Sequence, residues 1–366
     1  MQTYILNEEQ IMIQELVTEL TQAEIKPRAE EIDHTMCCPK EGIEILAEAG
    51  LTGCAIPEIY GGTGLDYWCQ LYTIEEVAKE CASTAYVLAN MAEVTEVLLK
   101  HGSRDLLETV LTEILGGTIV SIGGNDSFSG KSLKTDIEAE KTENGYLLTG
   151  VKKNIANFKE SRYCLLAVRQ DGENVWFLID TEYVEVTESV RKLGFKGISY
   201  DAIVLENYFV SEDRILKGNV YQTLSDLQTL NMAAIAEGIA QGAISEAIPY
   251  VNQRVQFGKT IAQFENTQQV MADMLSKAEA ARALVWEAAK VKDSGQDYAY
   301  AASLAKIMAT DVAPVITRQV VQLMGGYGYS KEYPVERKMR DAKMTELTAG
   351  KTSCHKEIVA KTAVVQ

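Results

Sequence analysis

The chain has 366 residues, 46% hydrophobic and 24% charged, enough to bury a sizeable core and too apolar for a disordered polypeptide. Its 52 acidic and 35 basic residues leave a net charge of −17; so acidic a surface repels phosphate backbones and anionic lipids, so neither nucleic acid nor membrane is an expected partner. Seven cysteines without a CxxC pair, beside only three histidines (His34, His101 and His355), speak against a metal site or disulfide framework and suit a reducing, cytoplasmic interior.

The N-terminus, MQTYILNEEQIMIQEL, is acidic and helix-periodic where a targeting peptide would be basic. No apolar run approaches the roughly 18 residues that span a bilayer. Residues 1–116 read as a helical domain. Ile11, Leu16, Leu20 and Ile25 recur near helical spacing, with Asn7 as N-cap and Glu8 and Glu9 in the first turn. PKEGIEILAEAGL forms a second helix between Pro39 and Gly50. PEIYGGTGLD is a glycine-rich loop, and two more helical segments follow it.

Residues 117–217 change period. Runs such as YCLLAVRQDGENVWFLID and YDAIVLENYFV are short and alternating or β-branched, and Asp-Gly and Glu-Asn-Gly turns separate such runs. They predict a small antiparallel β domain, a barrel or sandwich. From residue 218 to 366 long helices return, striped with Ala, Gly and Ser as in a four-helix bundle. The fold class expected is α+β: helical domain, β domain, helical bundle.

Three segments, NQRVQFGKTIAQF (252–264), QLMGGYGYSKEYPVER (322–337) and MRDAKMTEL (339–347), stand in fixed order along that architecture, with PEIYGG (57–62) as weaker support. Together they resemble the acyl-CoA dehydrogenase family of flavoproteins over nearly the whole chain. Physically, Arg254 offers a planar fork of donors suited to a pyrophosphate. Gly325 and Gly326 let backbone approach a cofactor. Gln322 can donate and accept toward an amide or adenine edge. The plainer alternative is a surface arginine and two glycines that end a helix.

The resemblance implies FAD and a thioester substrate, with a glutamate removing the α proton while hydride leaves the β carbon for the flavin. It also marks what is missing. Where the family carries I-Y-E-G-T, this chain has Leu347-Thr348-Ala349-Gly350-Lys351, so Ala349 stands at the base position. The alternative base position, on the first long helix of the bundle, is Gln228, followed by Thr229 in place of an arginine. A T-E-P-x-A-G-S-D motif is replaced by Ile122-Gly123-Gly124-Asn125-Asp126-Ser127-Phe128-Ser129. An aromatic-I-T-N motif is replaced by Asn154-Ile155-Ala156-Asn157. The glutamine after the QFG…F segment has become Glu265.

By the same resemblance, flavin lies at a subunit interface. The elements that cradle a protomer's own isoalloxazine are the altered ones. The residues lent to a neighbour's cofactor, Arg254, Phe257, Gln322, Gly325 and Gly326, are retained. This predicts a dimer or tetramer in which the chain partners a homologous, base-bearing acyl-CoA dehydrogenase subunit around FAD and an acyl-CoA or acyl-carrier-protein thioester. Two other readings stay open. One is an autonomous dehydrogenase or enoyl-thioester reductase with an unusual acid or base, for which Glu93 and Glu237 are the candidates. The other is a binding or scaffold protein that keeps only the fold. His355 is expected on a helix surface, and Lys351 in solvent or near a phosphate.

Overall fold

The structure, a computed structural model, describes residues 5–124 and 135–364. Helix α1 (Glu8–Leu20) begins at a reciprocal capping box: Asn7 accepts from the Gln10 N–H at 2.8 Å, and the Gln10 side chain accepts from the Asn7 N–H at 3.2 Å. A π-helical turn, Thr21–Ile25, joins it to α2 (Lys26–Thr35). Next come α3 (Lys40–Glu48), opened by Pro39, and, after the glycine-rich loop, α4 (Tyr67–Glu80), capped by Asp66. The sequence α5 (Ala82–His101) and α6 (Arg104–Leu115) completes the first helical block. Both α4 and α5 are buried almost all round, which is why their apolar residues show no narrow stripe.

Eight strands follow: β1 (Val120–Gly123), β2 (Asp136–Lys141), β3 (Gly145–Ala156), β4 (Tyr163–Gln170), β5 (Glu173–Asp180), β6 (Glu185–Ser189), β7 (Tyr200–Ser211) and β8 (Ile215–Leu216). They form one sheet in the order β6-β7-β3-β2-β4-β5-β8, with β1 joined to β4. Pairing is antiparallel except at β4, which runs parallel to β1 and to β2. The β4–β5 turn places Asp171 and Gly172 at φ +52° and +87°, the two left-handed residues that a tight hairpin of this kind requires.

Strand β4 fastens the sheet to the helices. Cys164, Leu166 and Val168 point into the core of the β domain with Ile137, Leu148 and Phe177. The alternate residues Tyr163, Leu165 and Ala167 enter the helical core with Trp176 and Leu178. A strand with period two, buried on both faces, can serve two cores at once.

The C-terminal block comprises α7 (Val220–Gln253), a two-stranded hairpin of β9 (Val255–Gln256) and β10 (Lys259–Thr260), α8 (Glu265–Asp293), α9 (Ala299–Met324), α10 (Gly326–Tyr329), α11 (Val335–Thr345) and α12 (Thr352–Ala363). Helix α9 is long and apolar enough to cross a bilayer by length and composition, which amends the expectation that no segment reaches that size. It packs against α7, α8, α11 and α12, and half of its most apolar stretch is buried. The sequence marked α11 only as a motif. Its Arg340 grips Asp33 of α2 through two hydrogen bonds of 2.9 and 2.8 Å, and Asp341 accepts from the Phe195 N–H at 2.7 Å. The motif therefore ties the bundle to both other blocks.

Helix α7 lies against α4 without intervening side chains. A Cβ on Gly238 would stand 2.1 Å from the Glu75 carbonyl oxygen, and one on Gly242 2.2 Å from that of Lys79. Both obstacles are backbone, so they yield only if a whole helix moves. Gly238→Ala should therefore lower stability by about 1–3 kcal/mol, read as a lower midpoint in urea unfolding.

Candidate functional site

A pocket opens where the three blocks meet. Helix α5 contributes Tyr86, Asn90 and Glu93; the sheet contributes Ile122, Gly124, Asn154, Ala156 and Trp176. Helix α7 adds Tyr221, Leu224, Ser225, Gln228 and Met232. The C-terminal turn and α12 add Thr348, Ala349, Gly350, Cys354, His355 and Ile358. Both expected base positions, Ala349 and Gln228, thus face one cavity, and Glu93 joins them. Glu237 does not. Its carboxyl is buried between α7 and α4, where burial and the neighbouring Glu75 charge raise its pKa well above the usual range. Glu75 is held there by Arg282 and by the Trp286 indole N–H at 2.7 Å. Glu237 is a core group, and the sequence could not distinguish it from Glu93.

Glu93 is the sole carboxyl among the described residues that line the pocket. Its Oε1 accepts from the Asn231 amide at 3.1 Å, and the Asn231 oxygen accepts from the Tyr67 hydroxyl at 2.6 Å. Burial pushes its pKa up to about 8, opposed only by the Asn231 and Gln228 amides. Gln228 lies beside the carboxyl, yet Oε2 makes no hydrogen bond of regular geometry. The group is therefore a neutral acid at pH 7, with one oxygen left over.

The turn around Ala349 is clamped from behind. The buried Lys306 ammonium donates to the Thr345 carbonyl at 2.7 Å, and Nε2 of His355 bonds the Ala349 carbonyl at 2.8 Å. Since a carbonyl only accepts, His355 carries its proton on Nε2, and its buried Nδ1 has no partner. Burial, with the Lys306 charge, lowers the His355 pKa to about 4. His355 is thus not the surface residue expected from sequence: it is 4% exposed and lines the pocket. One signal could have flagged this clamp, a lone lysine at 306 inside the apolar run ASLAKIMA. Ala349 itself sits at φ +56°, a left-handed conformation that alanine adopts at some cost. Lys351 is exposed at the N-cap of α12.

The remaining altered positions are structural. Thr229 returns its hydroxyl to the Ser225 carbonyl at 2.7 Å, Asn157 accepts from the Ser199 N–H at 2.8 Å, and Glu265 begins α8. Of the segment 122–129, Ile122 and Gly124 line the pocket, while Asn125, Asp126, Ser127, Phe128 and Ser129 lie outside the described residues.

The five residues expected to serve a neighbour gather elsewhere, on one outer surface. Arg254, Gly325 and Gly326 border one cleft; Phe257 and Gln322 border a second, and Gln256, Ile261 and Leu323 line both. No residue lines both this surface and the inner pocket. Gln228 and Arg254 stand 26 residues apart along α7, roughly 39 Å at the usual helical rise. Phe257, at the tip of the β9–β10 hairpin, is 94% exposed and held at φ +51°, a strained display for a bulky side chain. Arg254 makes no ion pair with any described residue; its guanidinium lies 5.8 Å from the Tyr327 ring centre. Among the described residues no group of three or more His, Cys, Asp or Glu side chains could hold a metal.

Comparison with known proteins gives the class. The N-terminal domain of acyl-CoA dehydrogenases matches residues 7–118, and their C-terminal domain matches residues 219–364. The chain belongs to the acyl-CoA dehydrogenase family of flavin-dependent oxidoreductases. It is 31% identical to the acryloyl-CoA reductase (NADH) of Anaerotignum propionicum, over 97% of this chain and 94% of that one. Its fold matches butyryl-CoA dehydrogenase from Megasphaera elsdenii with a TM-score of 0.94 at 28% identity, covering 99% of each chain. It also matches a chain solved in work on the electron transferring flavoprotein of Acidaminococcus fermentans and flavin-based electron bifurcation, with a TM-score of 0.95 at 29% identity over 100% of both.

The family implies FAD, and the outer surface fits part of it. A Cβ built on Gly325 or Gly326 would meet nothing within 4 Å, so packing within this chain does not demand either glycine. The space in front of them, beside an arginine without an ionic partner, suits a pyrophosphate. At the inner pocket the fit is apolar: Ile122 and Trp176 offer flat surface, and Asn154 and Ala156 bring no hydroxyl.

The Glu93 pKa sets a stability prediction. The folded state holds a proton between pH 4.5 and 8 that the unfolded chain has released, so Glu93 costs stability progressively as pH rises across that window. Glu93→Gln should melt higher than wild type, with a difference that is small at pH 5 and grows to a few kcal/mol by pH 8, on the order of 1.4 kcal/mol per pH unit at most. Thermal denaturation at pH 5, 6.5 and 8 measures it.

Proposed function

We propose that this chain is the base-deficient subunit of a flavin-dependent acyl-thioester oxidoreductase, working beside a homologous subunit that carries the missing glutamate. One observation carries the reading: the inner pocket has Ala349 and Gln228 where a base would stand, while Arg254, Phe257, Gln322, Gly325 and Gly326 stay together on a surface that faces away. A methyl group cannot accept the α proton, and a carboxamide is no base. The roughly 39 Å between Gln228 and Arg254 is longer than one dinucleotide cofactor reaches, so the outer residues serve a cofactor centred on another chain. Bound FAD supplies the hydride acceptor. In its own pocket this chain binds and orients the acyl group, and at its outer face it holds the partner's pyrophosphate and adenine. A heteromeric dimer or tetramer follows, acting on CoA or carrier-protein thioesters. Seven free cysteines accord with a cytoplasmic setting.

A second reading is favoured by Glu93. A carboxylic acid that is still protonated at pH 7, lining the pocket beside Gln228, can donate a proton, as reduction of an enoyl thioester requires. The family relative named as an acryloyl-CoA reductase is in keeping with that direction.

Purification decides between them. The first reading expects a colourless or inactive protein alone that becomes yellow and active with its partner; a yellow, active homo-oligomer rejects it and favours the second. Restoring the base gives a sharper measure. In this chain purified alone and loaded with FAD, Ala349→Glu should raise the rate at which a saturated acyl-CoA bleaches the flavin under anaerobic conditions by about 10²–10⁴. A wild-type rate that this substitution leaves unchanged counts against the loss of the base.

A further inference from the structure

The inner pocket has an electrostatic character that reaction type alone does not explain. No lysine or arginine is among the described residues that line it, and their one carboxyl, Glu93, is 3% exposed. Two buried polar atoms there have no hydrogen-bond partner among the described residues: Oε2 of Glu93, which carries the proton while the acid is neutral and becomes an acceptor on ionisation, and Nδ1 of His355. They come from different elements, α5 and α12, so a single local distortion does not account for both. Buried polar atoms without partners cost free energy unless a ligand satisfies them. The net charge of −17 adds to the preference for a positive guest.

An unbranched alkyl chain would leave both groups unsatisfied, and a carboxylate-tipped acyl group would bury an anion with no lysine or arginine among the described lining residues to pair it. We propose that the acyl group this pocket takes carries an ammonium at its far end, which seats on the Glu93 carboxylate. The proposal rests on the reading that the pocket holds the acyl part of a thioester.

The groups around Glu93 make such a pairing readable. Tyr67 of α4, Tyr86 of α5 and Tyr298 before α9 face it as neutral phenols, and Gln228 and Asn231 of α7 face it as amides. None supplies a charge that would ionise Glu93 without the ligand. When an ammonium arrives, the O–H bond of the carboxylic acid breaks, its proton goes to the buffer, and the carboxylate pairs with the ammonium. The uptake of a cationic acyl group is therefore coupled to release of one proton near pH 7. An uncharged acyl group of the same shape releases none.

Isosteric pairs isolate the effect: 3-aminopropanoyl-CoA against butanoyl-CoA, and 5-aminopentanoyl-CoA against hexanoyl-CoA. Each is titrated calorimetrically at pH 7 into the purified full-length protein, with whatever flavin and partner it retains, in two buffers of different ionisation enthalpy. The expected result is at least about tenfold tighter binding of one aminoacyl thioester than of its alkyl isostere, with close to one proton released. Glu93→Gln, which is expected to fold with raised stability, should abolish both the preference and the proton release. Equal or tighter binding of the alkyl isosteres overturns this inference alone, as does a preference that survives in Glu93→Gln. Failure of all four thioesters to bind overturns the thioester reading beneath it, and this inference with it.

Discussion

The arrangement depends on how closely α7 lies to its neighbours. Gly238 and Gly242 set its backbone against the carbonyl oxygens of Glu75 and Lys79, so the 34-residue helix cannot rotate or slide without a steric collision. Everything α7 carries is positioned by that contact. Near one end Gln228 enters the inner pocket and Asn231 holds Glu93; just beyond the other, Arg254 leads into the hairpin that displays Phe257. One rigid element therefore sets the orientation of two sites that share no residue.

Around that helix the protein buries charge in two ways. Glu75 is compensated by the Arg282 guanidinium and the Trp286 N–H, a paired arrangement that a structural core tolerates. Glu93 has amide and phenol neighbours but no cation partner among the described residues, and burial pushes its pKa up to about 8. The same side chain in the same kind of helix thus becomes scaffold in one place and a responsive group in the other. The difference is whether a guanidinium lies within reach.

The C-terminal turn carries Ala349 at the position where the motif resemblance expects a glutamate. The Ala349 methyl leaves room in the pocket, while Lys306 and His355 hold the turn's carbonyls from the protein side. Ala349 holds a left-handed backbone, with φ at +56°.

Period, turn chemistry and local motifs were legible in the amino-acid order. The Asn7 capping box, the Asp171–Gly172 hairpin, the change from helical to strand period near residue 117, and the motifs around Arg254 and Gly325 are all local signals, because each depends on residues a few positions apart. The same comparison of motifs placed Gln228 and Ala349 at the expected base positions. What lay beyond reach was burial and company. Glu93 and Glu237 look alike on paper, and only packing put one in the pocket and the other beside Glu75. His355 read as a surface residue because a short polar helix gives no hint that its face closes a cavity, and Arg340 and Asp341 read as a motif without a role. Local order determined which elements form; the meeting of segments hundreds of residues apart decided which buried carboxyl lines the pocket and which lies in the core beside Glu75.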